Sequence, residues 1–282
     1  IIIDDSSTDG TEDVLKAIPQ DDRLSIIRTH KNCGPAYARN RGIEKSKGQF
    51  IALIDSDCIA HPNWLSEIIR PFHEDLTIMI TAGRTQDMKP STYWELVNMG
   101  ENFIGKESGI IQEAPGCNMA IRREFALRHP FDERITGGED ADLCMSCLQE
   151  GKTIFYNKQA HVSHIRRSTL RSTLLQQFAY GYNNAYARFK HKKFPFISYG
   201  AWIILSAISL GLTGFSLHKY FLYQIAIILC MVYVLLVLYL AIRPRQKNPV
   251  EIFLTFPGLL LRCVANTTGS LTYLCQCVIK RR

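Results

Sequence analysis

The stretch IIIDDSSTDGT, residues 1–11, decides how this chain is read. Three β-branched residues run straight into the paired carboxylates Asp4 and Asp5, and then into turn-formers. Ile1 to Ile3 read as the end of a buried parallel strand. The acids therefore sit at a strand's carboxyl end, where open α/β sheets bind their ligands. Helix capping is the competing account, since Asp9 or Thr11 can start a helix over Thr11 to Ile18. A cap needs one Asp, and here two stand side by side.

The same device returns at FIALIDSDCIAHPNWL, residues 50–65. An apolar strand, Phe50 to Ile54, delivers Asp55 and Asp57, whose spacing of two lets both reach one locus if the chain bends. Oxygen pairs of this kind suit hard divalent cations, with Mg²⁺ or Mn²⁺ using one or two carboxylates plus phosphate oxygens. A third acidic site lies in ITGGEDADLCMSCLQEG, residues 135–151. Glu139 and Asp140 follow Gly137 and Gly138 at the start of a helix. They either complement the helix dipole or serve chemistry, one of them as a general base. The two glycines permit close approach of a ligand, which the dipole account does not need.

Between these sites apolar runs alternate with helical patterns. Strands are expected at Leu24–Ile27, Phe50–Ile54, Ile78–Ala82, Asn118–Ile121 and Thr153–Tyr156. Helices are expected at Pro35–Ser46, Pro62–His73, Thr92–Gly105 and Ala141–Glu150. The alternation predicts an α/β domain over residues 1–165, with a mixed, mainly parallel sheet covered by helices on both faces. The chain starts without Met inside a strand, so the true N-terminus is expected to be missing. Nine scattered cysteines in 282 residues point to a reducing compartment rather than a disulfide framework. Cys144 and Cys147 read as small apolar helix residues, because no second ligand pair completes a zinc site.

Charge divides the chain. The net charge is +7, yet 17 of 33 Lys and Arg and only one of 26 acids, Glu251, lie beyond Gly151. An acidic front thus precedes a basic back. The basic residues flank long apolar runs, which favours a membrane surface over nucleic acid. Residues 166–198 read as a basic amphipathic, interfacial helix region, with packing on the domain as the alternative. Tyr199–Leu217 and Phe221–Ile242 lack Asp, Glu, Lys and Arg and are long enough to cross a bilayer. Residues 243–282, interrupted by Pro257, Arg262 and Asn266, read as interfacial or re-entrant. Two spans forming a hairpin put both basic flanks on the cytoplasmic side.

Taken together, IIIDDSSTDGT, NCGPAYARNRGIEKSKGQFIALIDSD (32–57), GCNMAIRREF (116–125) and FDERITGGEDADLCMSCLQEG (131–151) resemble the large inverting family-2 glycosyltransferases of GT-A fold. The resemblance implies that Asp4 or Asp5 contacts the nucleobase and ribose of a nucleotide-diphosphate sugar, with Arg39 approaching that donor from its helix. It implies that Asp55 faces the donor ribose or sugar and that Asp57 holds Mn²⁺ or Mg²⁺ on the diphosphate. Asp140 matches the catalytic base, Glu139 stands beside it at the acceptor, and Gly116, Cys117 and Asn118 line the acceptor side. His164 is a candidate metal ligand, or a structural histidine like His161. The acceptor implied is a saccharide or a lipid-linked hydroxyl at a multi-pass membrane, the bacterial inner membrane with a cytoplasmic catalytic domain. The Gln-x-x-Arg-Trp motif of the family's polysaccharide synthases would align with Gln176 to Tyr180. Ala179 and Tyr180 replace its Arg and Trp, which makes processive synthesis doubtful. A polyprenyl-phosphate sugar synthase is the alternative enzyme. A receiver-like domain and a non-catalytic membrane scaffold are the alternatives from other classes, and neither needs the Glu139–Asp140 motif.

Overall fold

The computed structural model describes residues 1–99, 107–192, 220–242 and 249–279. In chain order its elements are β1 (Ile2–Asp4), α1 (Thr11–Lys16), β2 (Ile26–Arg28), α2 (Pro35–Lys45), β3 (Phe50–Ile54) and β4 (Cys58–Ala60). Next come α3 (Trp64–Ile69), α4 (Pro71–Glu74), β5 (Ile78–Asp87), α5 (Tyr93–Asn98), β6 (Gly109–Ile111) and β7 (Asn118–Arg122). The remainder are α6 (Arg123–Arg128), α7 (Glu139–Gln149), β8 (Thr153–His164), α8 (Leu170–Lys190), α9 (Tyr220–Ile242) and α10 (Pro249–Ile279). Two compact units result, one of residues 1–86 and 102–164, the other of 87–101 and 165–282.

The first unit is an α/β domain. β1 pairs with β2 in parallel, and their register places Arg28 opposite Asp4. The larger sheet runs β3-β7-β5-β8-β4, with β6 also on β8. Here the structure corrects the expectation of a mainly parallel sheet. The described ladders β3–β7, β5–β7, β4–β8 and β6–β8 are all antiparallel. β7 opposes both of its neighbours, whereas β1 and β2 pair in parallel, so the domain uses both strand directions. Apolar runs report burial on both faces but carry no direction, which is why sequence misjudged it.

Strand β7 shows how the sheet is covered. Alternate residues face opposite sides, so Met119 and Ile121 join one core with Ala36, Ile43, Phe125 and Leu143. Ala120 joins the other with Trp64, Ile68, Phe72 and Val162. Helices α2, α6 and α7 thus seal one face, and α3 and α4 the other. Pro71 splits the single helix expected over Pro62–His73, because proline lacks the N–H that would continue the ladder. Helix α7 begins at Glu139, earlier than expected, after Gly138 at φ +84°. Cys144 and Cys147 are fully buried on it. Burial raises both thiols, Cys147 to about 12 and Cys144 well above its usual value, so they pack as neutral side chains.

In the second unit, α8 packs against α10 through two glycines. A Cβ on Gly181 would lie 1.8 Å from the Asn266 carbonyl oxygen, and one on Gly269 would lie 2.0 Å from that of Phe178. Hydrogen bonds hold the approach: Ser270 Oγ donates to the Gly181 carbonyl at 2.9 Å and Tyr182 Oη to Gln276 Oε1 at 2.7 Å. α8 thus packs on α10 along its small-residue face, while Leu170, Leu175 and Phe189 stay exposed. Gly181→Ala should lower stability by about 1–3 kcal/mol through overpacking, despite alanine's better helix propensity. Gly42→Ala in α2 meets only Ile3 Cγ1 at 3.7 Å and should be neutral or stabilising. Thermal unfolding of the two variants separates them; equal midpoints would refute the close approach.

Residues 243–248 and the expected span Tyr199–Leu217 lie outside the described residues. The expected span Phe221–Ile242 falls within α9, and Pro257 lies inside the continuous helix α10. Among the described residues no helix is long and apolar enough to cross a membrane; the described side chains of α9 stop at Val234.

Candidate active site

Asp4 ends β1 as a buried carboxylate. Its Oδ1 accepts from Ser7 N at 2.9 Å and its Oδ2 from Arg28 Nη1 at 2.5 Å. Hydrogen bonds from Ser7, and next the Arg28 guanidinium, hold it below the usual carboxylate range against the opposing effect of burial. Asp5 is used differently. It accepts from Thr29 Oγ1 at 2.9 Å, from Cys33 N at 3.0 Å and from Gly34 N at 2.6 Å. It thereby anchors the loop that opens α2, the helix carrying Arg39. Both members of the pair expected to meet nucleobase and ribose accept hydrogen bonds from protein donors.

From α2, Arg39 reaches across the domain. Its Nη2 donates to Asp55 Oδ1 at 2.7 Å, and its Nη1 donates to Glu139 Oε1. The guanidinium is mostly buried, 13% exposed, so it does not lie on a solvated helix face. It is joined by close approach of the Gly116 backbone, where a Cβ would stand 2.9 Å from Nη2. Glu139 is buried at the start of α7, and its Oε2 has no hydrogen-bond partner among the described residues. Beside it Asp140 is partly exposed, with Oδ2 accepting from Gly116 N at 2.8 Å and Oδ1 from Ala141 N at 2.9 Å. A carboxylate has about four lone-pair positions, so Asp140 keeps acceptor capacity for a substrate proton.

The second acid beyond β3 faces a different group. Asp57 Oδ1 lies 3.4 Å from His164 Nε2, and the Asp57 side chain is 41% exposed. His164 closes β8 inside the ladder, rather than following the strand as its position suggested. His161, on the same strand, stacks on His61 with centroids 3.9 Å apart. Burial and the neighbouring His61 and Arg84 lower its pKa, which keeps it neutral. Cys58, Cys117 and His164 gather their ligand atoms within 4.8 Å of one another. A hydrogen bond with Cys58 favours the thiolate form of Cys117 and raises Cys58.

One expectation changes character. Asn118 is fully buried; its Oδ1 accepts from Trp64 Nε1 at 2.8 Å and its Nδ2 donates to the Arg84 carbonyl at 2.9 Å. Its side chain supports the site from beneath and does not line an acceptor face. Trp64 and Cys58 escaped sequence reasoning, because nothing local marks either as part of the site. Apart from Asp4 and Asp5, the remaining expected residues fall into three neighbouring sets. Glu139, Arg39 and Asp55 form one chain of contacts, Asp140 and Gly116 another, and Cys117, His164 and Asp57 a third that continues from Gly116.

Asp55 and Asp57, both about two-fifths exposed at the end of β3, offer hard oxygen donors open on one side. That donor set fits a divalent cation of the Mg²⁺ or Mn²⁺ class.

Residues 1–135 match the family model described as Glycosyl transferase family 2. The succinoglycan biosynthesis protein ExoO of Rhizobium meliloti is 41% identical over 191 residues, which are 62% of this chain and 54% of that protein. A pre-mycofactocin glycosyltransferase of Mycobacterium tuberculosis is 28% identical over 200 residues, or 65% of this chain and 42% of its own length. The chain thus spans about half the length of these relatives. Among solved structures, the mannosyltransferase PcManGT from Pyrobaculum calidifontis, in complex with GDP-Man and Mn²⁺, superposes with a TM-score of 0.54 at 14% identity. The match covers 96% of this chain and 76% of that one, and shows a shared fold.

Proposed function

The chain carries a glycosyltransferase family 2 domain in residues 1–135, and from that premise we propose a membrane-anchored, metal-dependent, inverting transferase. It moves a sugar from a nucleotide-diphosphate donor to a hydroxyl of a saccharide or lipid-linked acceptor, in polysaccharide or glycoconjugate synthesis. The observation that carries this reading is Arg39, which ties Asp55 to Glu139, the neighbour of Asp140. In this reading Asp55 serves the donor and Glu139 and Asp140 the acceptor.

Each residue then has a task. Asp140 takes the proton of the attacking hydroxyl, as a positioned base does. Attack from the face opposite the departing diphosphate inverts the anomeric centre in one displacement. Asp55 and Asp57 would hold Mn²⁺ or Mg²⁺, which as a Lewis acid offsets charge on the leaving diphosphate. The fold shared with a mannosyltransferase that holds GDP-Man and Mn²⁺ supports a nucleotide-sugar donor and such a cation. Anchoring rests on the uncharged stretches Tyr199–Leu217 and Phe221–Ile242, and on the exposure of Ile227, Ile228 and Met231 on α9. By the distribution of Lys and Arg, the catalytic domain faces the cytoplasm.

The test is a panel of UDP- and GDP-sugars offered to membranes containing the protein. One donor should be consumed, consumption should stop with chelator, and Mn²⁺ or Mg²⁺ should restore it. The activity should sediment with membranes and be released by detergent but not by high salt. Full activity in chelator refutes the metal, release by salt refutes the anchor, and indifference to every donor refutes the transferase.

A further inference from the structure

Two acids account for a hard cation, but the sulfur donors beside them do not belong to that chemistry. Cys58, the first residue of β4, Cys117, in the turn before β7, and His164, the last residue of β8, bring their ligand atoms within 4.8 Å of one another. The β4–β8 ladder sets Cys58 directly opposite His164. Two of the three donors are therefore fixed by backbone pairing and not by loop geometry. All three residues are half-buried, and among the described residues His164 Nδ1 is buried without a hydrogen-bond partner. A buried ring nitrogen left unpaired beside two sulfurs is costly unless something meets it.

We propose that Cys58, Cys117 and His164 form a second cation site, selective for a thiophilic ion of the Zn²⁺ class, next to the hard-cation site of Asp55 and Asp57. Thiolate and imidazole select zinc, whereas carboxylates and phosphate oxygens select magnesium and manganese, so neighbouring sites can discriminate by ligand type alone. In a tetrahedral zinc site, Zn–S of about 2.3 Å and Zn–N of about 2.0–2.1 Å place donors about 3.5–3.8 Å apart. Closing from 4.8 Å asks for a shift of about 1 Å, within reach of side-chain rotation. Three protein ligands leave a fourth position. Asp57, 3.4 Å from His164, stands next to it. The inference goes beyond the transferase reading, which gives no task to Cys58.

Titration of the reduced, metal-free chain with Co²⁺ tests it, because thiolate-to-cobalt charge transfer gives a near-ultraviolet band that counts sulfur ligands. The wild type should develop the band. Zn²⁺ should bleach it by displacing Co²⁺, as the affinity order requires, and Mg²⁺ should leave it unchanged. Cys58→Ser and Cys117→Ser should each lose intensity, their double variant should lose the band, and His164→Gln should bind Co²⁺ more weakly. A measurement without mutation guards against misfolded variants: Zn²⁺ should protect Cys58 and Cys117 from alkylation, read by peptide mass. Absence of the band in the wild type, its persistence in the double variant, or equal alkylation with and without Zn²⁺ would each overturn the site. None of these readouts needs turnover or a nucleotide sugar, so their failure leaves the transferase reading intact.

Discussion

Asp140→Asn should reduce sugar transfer by about 10²–10⁴-fold, the range a positioned general base contributes, while donor binding stays close to wild type. The amide keeps the shape of the carboxylate but accepts through one oxygen only. Both carboxylate oxygens now take backbone N–H groups, from Gly116 and Ala141. The variant's NH₂ must therefore face one of those donors, and a small loss of stability accompanies the loss of rate. Separating the two requires donor affinity and thermal unfolding beside the rate. A variant that retained more than about a tenth of the wild-type rate would move the base to another group. Glu139 is a poor substitute, since it is buried and already paired with Arg39.

The second large effect is on stability. Arg39→Met should cost about 3–5 kcal/mol, the usual result of removing one partner from a buried pair. The reason lies with the group left behind. Glu139 is 4% exposed, and without Arg39 its carboxylate loses its counter-charge while Oε2 still lacks a donor. In the variant that carboxyl should titrate above its usual value of about 4.3. A raised folded-state pKa means the protonated form suits the fold, so the deficit should shrink as the pH falls from 7 towards 5. Adding Glu139→Gln removes the unpaired charge, and the double variant should be more stable than Arg39→Met alone. Denaturant unfolding at both pH values checks each statement. A cost below about 1 kcal/mol, typical of exposed pairs, would show that water screens the bridge.

These predictions rest on contacts that sequence indicated unevenly. Phe50–Ile54 was legible to the residue, because Gly48 and Asp55 bound a continuous apolar run. The acids at the ends of β1 and β3 and at the start of α7 were legible for the same reason. β4 was not: three residues between Asp57 and His61 are too few to show a period. Strand direction was hidden too, since burial on both faces looks alike whichever way a neighbour runs. Long-range partners were beyond reach. Arg39 and Glu139 are 100 residues apart, and only the tertiary fold, which joins residues of α2 and α7 to one core, decides that Arg39 turns inward. Asp5 reads as a ligand for substrate, and its oxygens also meet the amides of Cys33 and Gly34, which no local pattern announces. The cysteines looked scattered because Cys58 lies on β4 and Cys117 in the turn before β7, and only the fold brings them together.

Strand β8 has a consequence for how this chain can change over generations. Its last residues match Cys58 with His164, Ile59 with Ser163 and Ala60 with Val162. A deletion of one residue within that stretch would bring His164 towards the place of Ser163 and turn every following side chain to the opposite face. Substitutions along β8 alter one contact at a time, but a change of length rewrites the whole edge at once. Insertions and deletions should therefore be tolerated in the turns at either end of β8 and purged between Asn157 and His164, even where each residue involved is individually replaceable. Deep insertion–deletion scanning of the gene, selected on transfer activity, would reveal this as a gap in length variation over those eight positions.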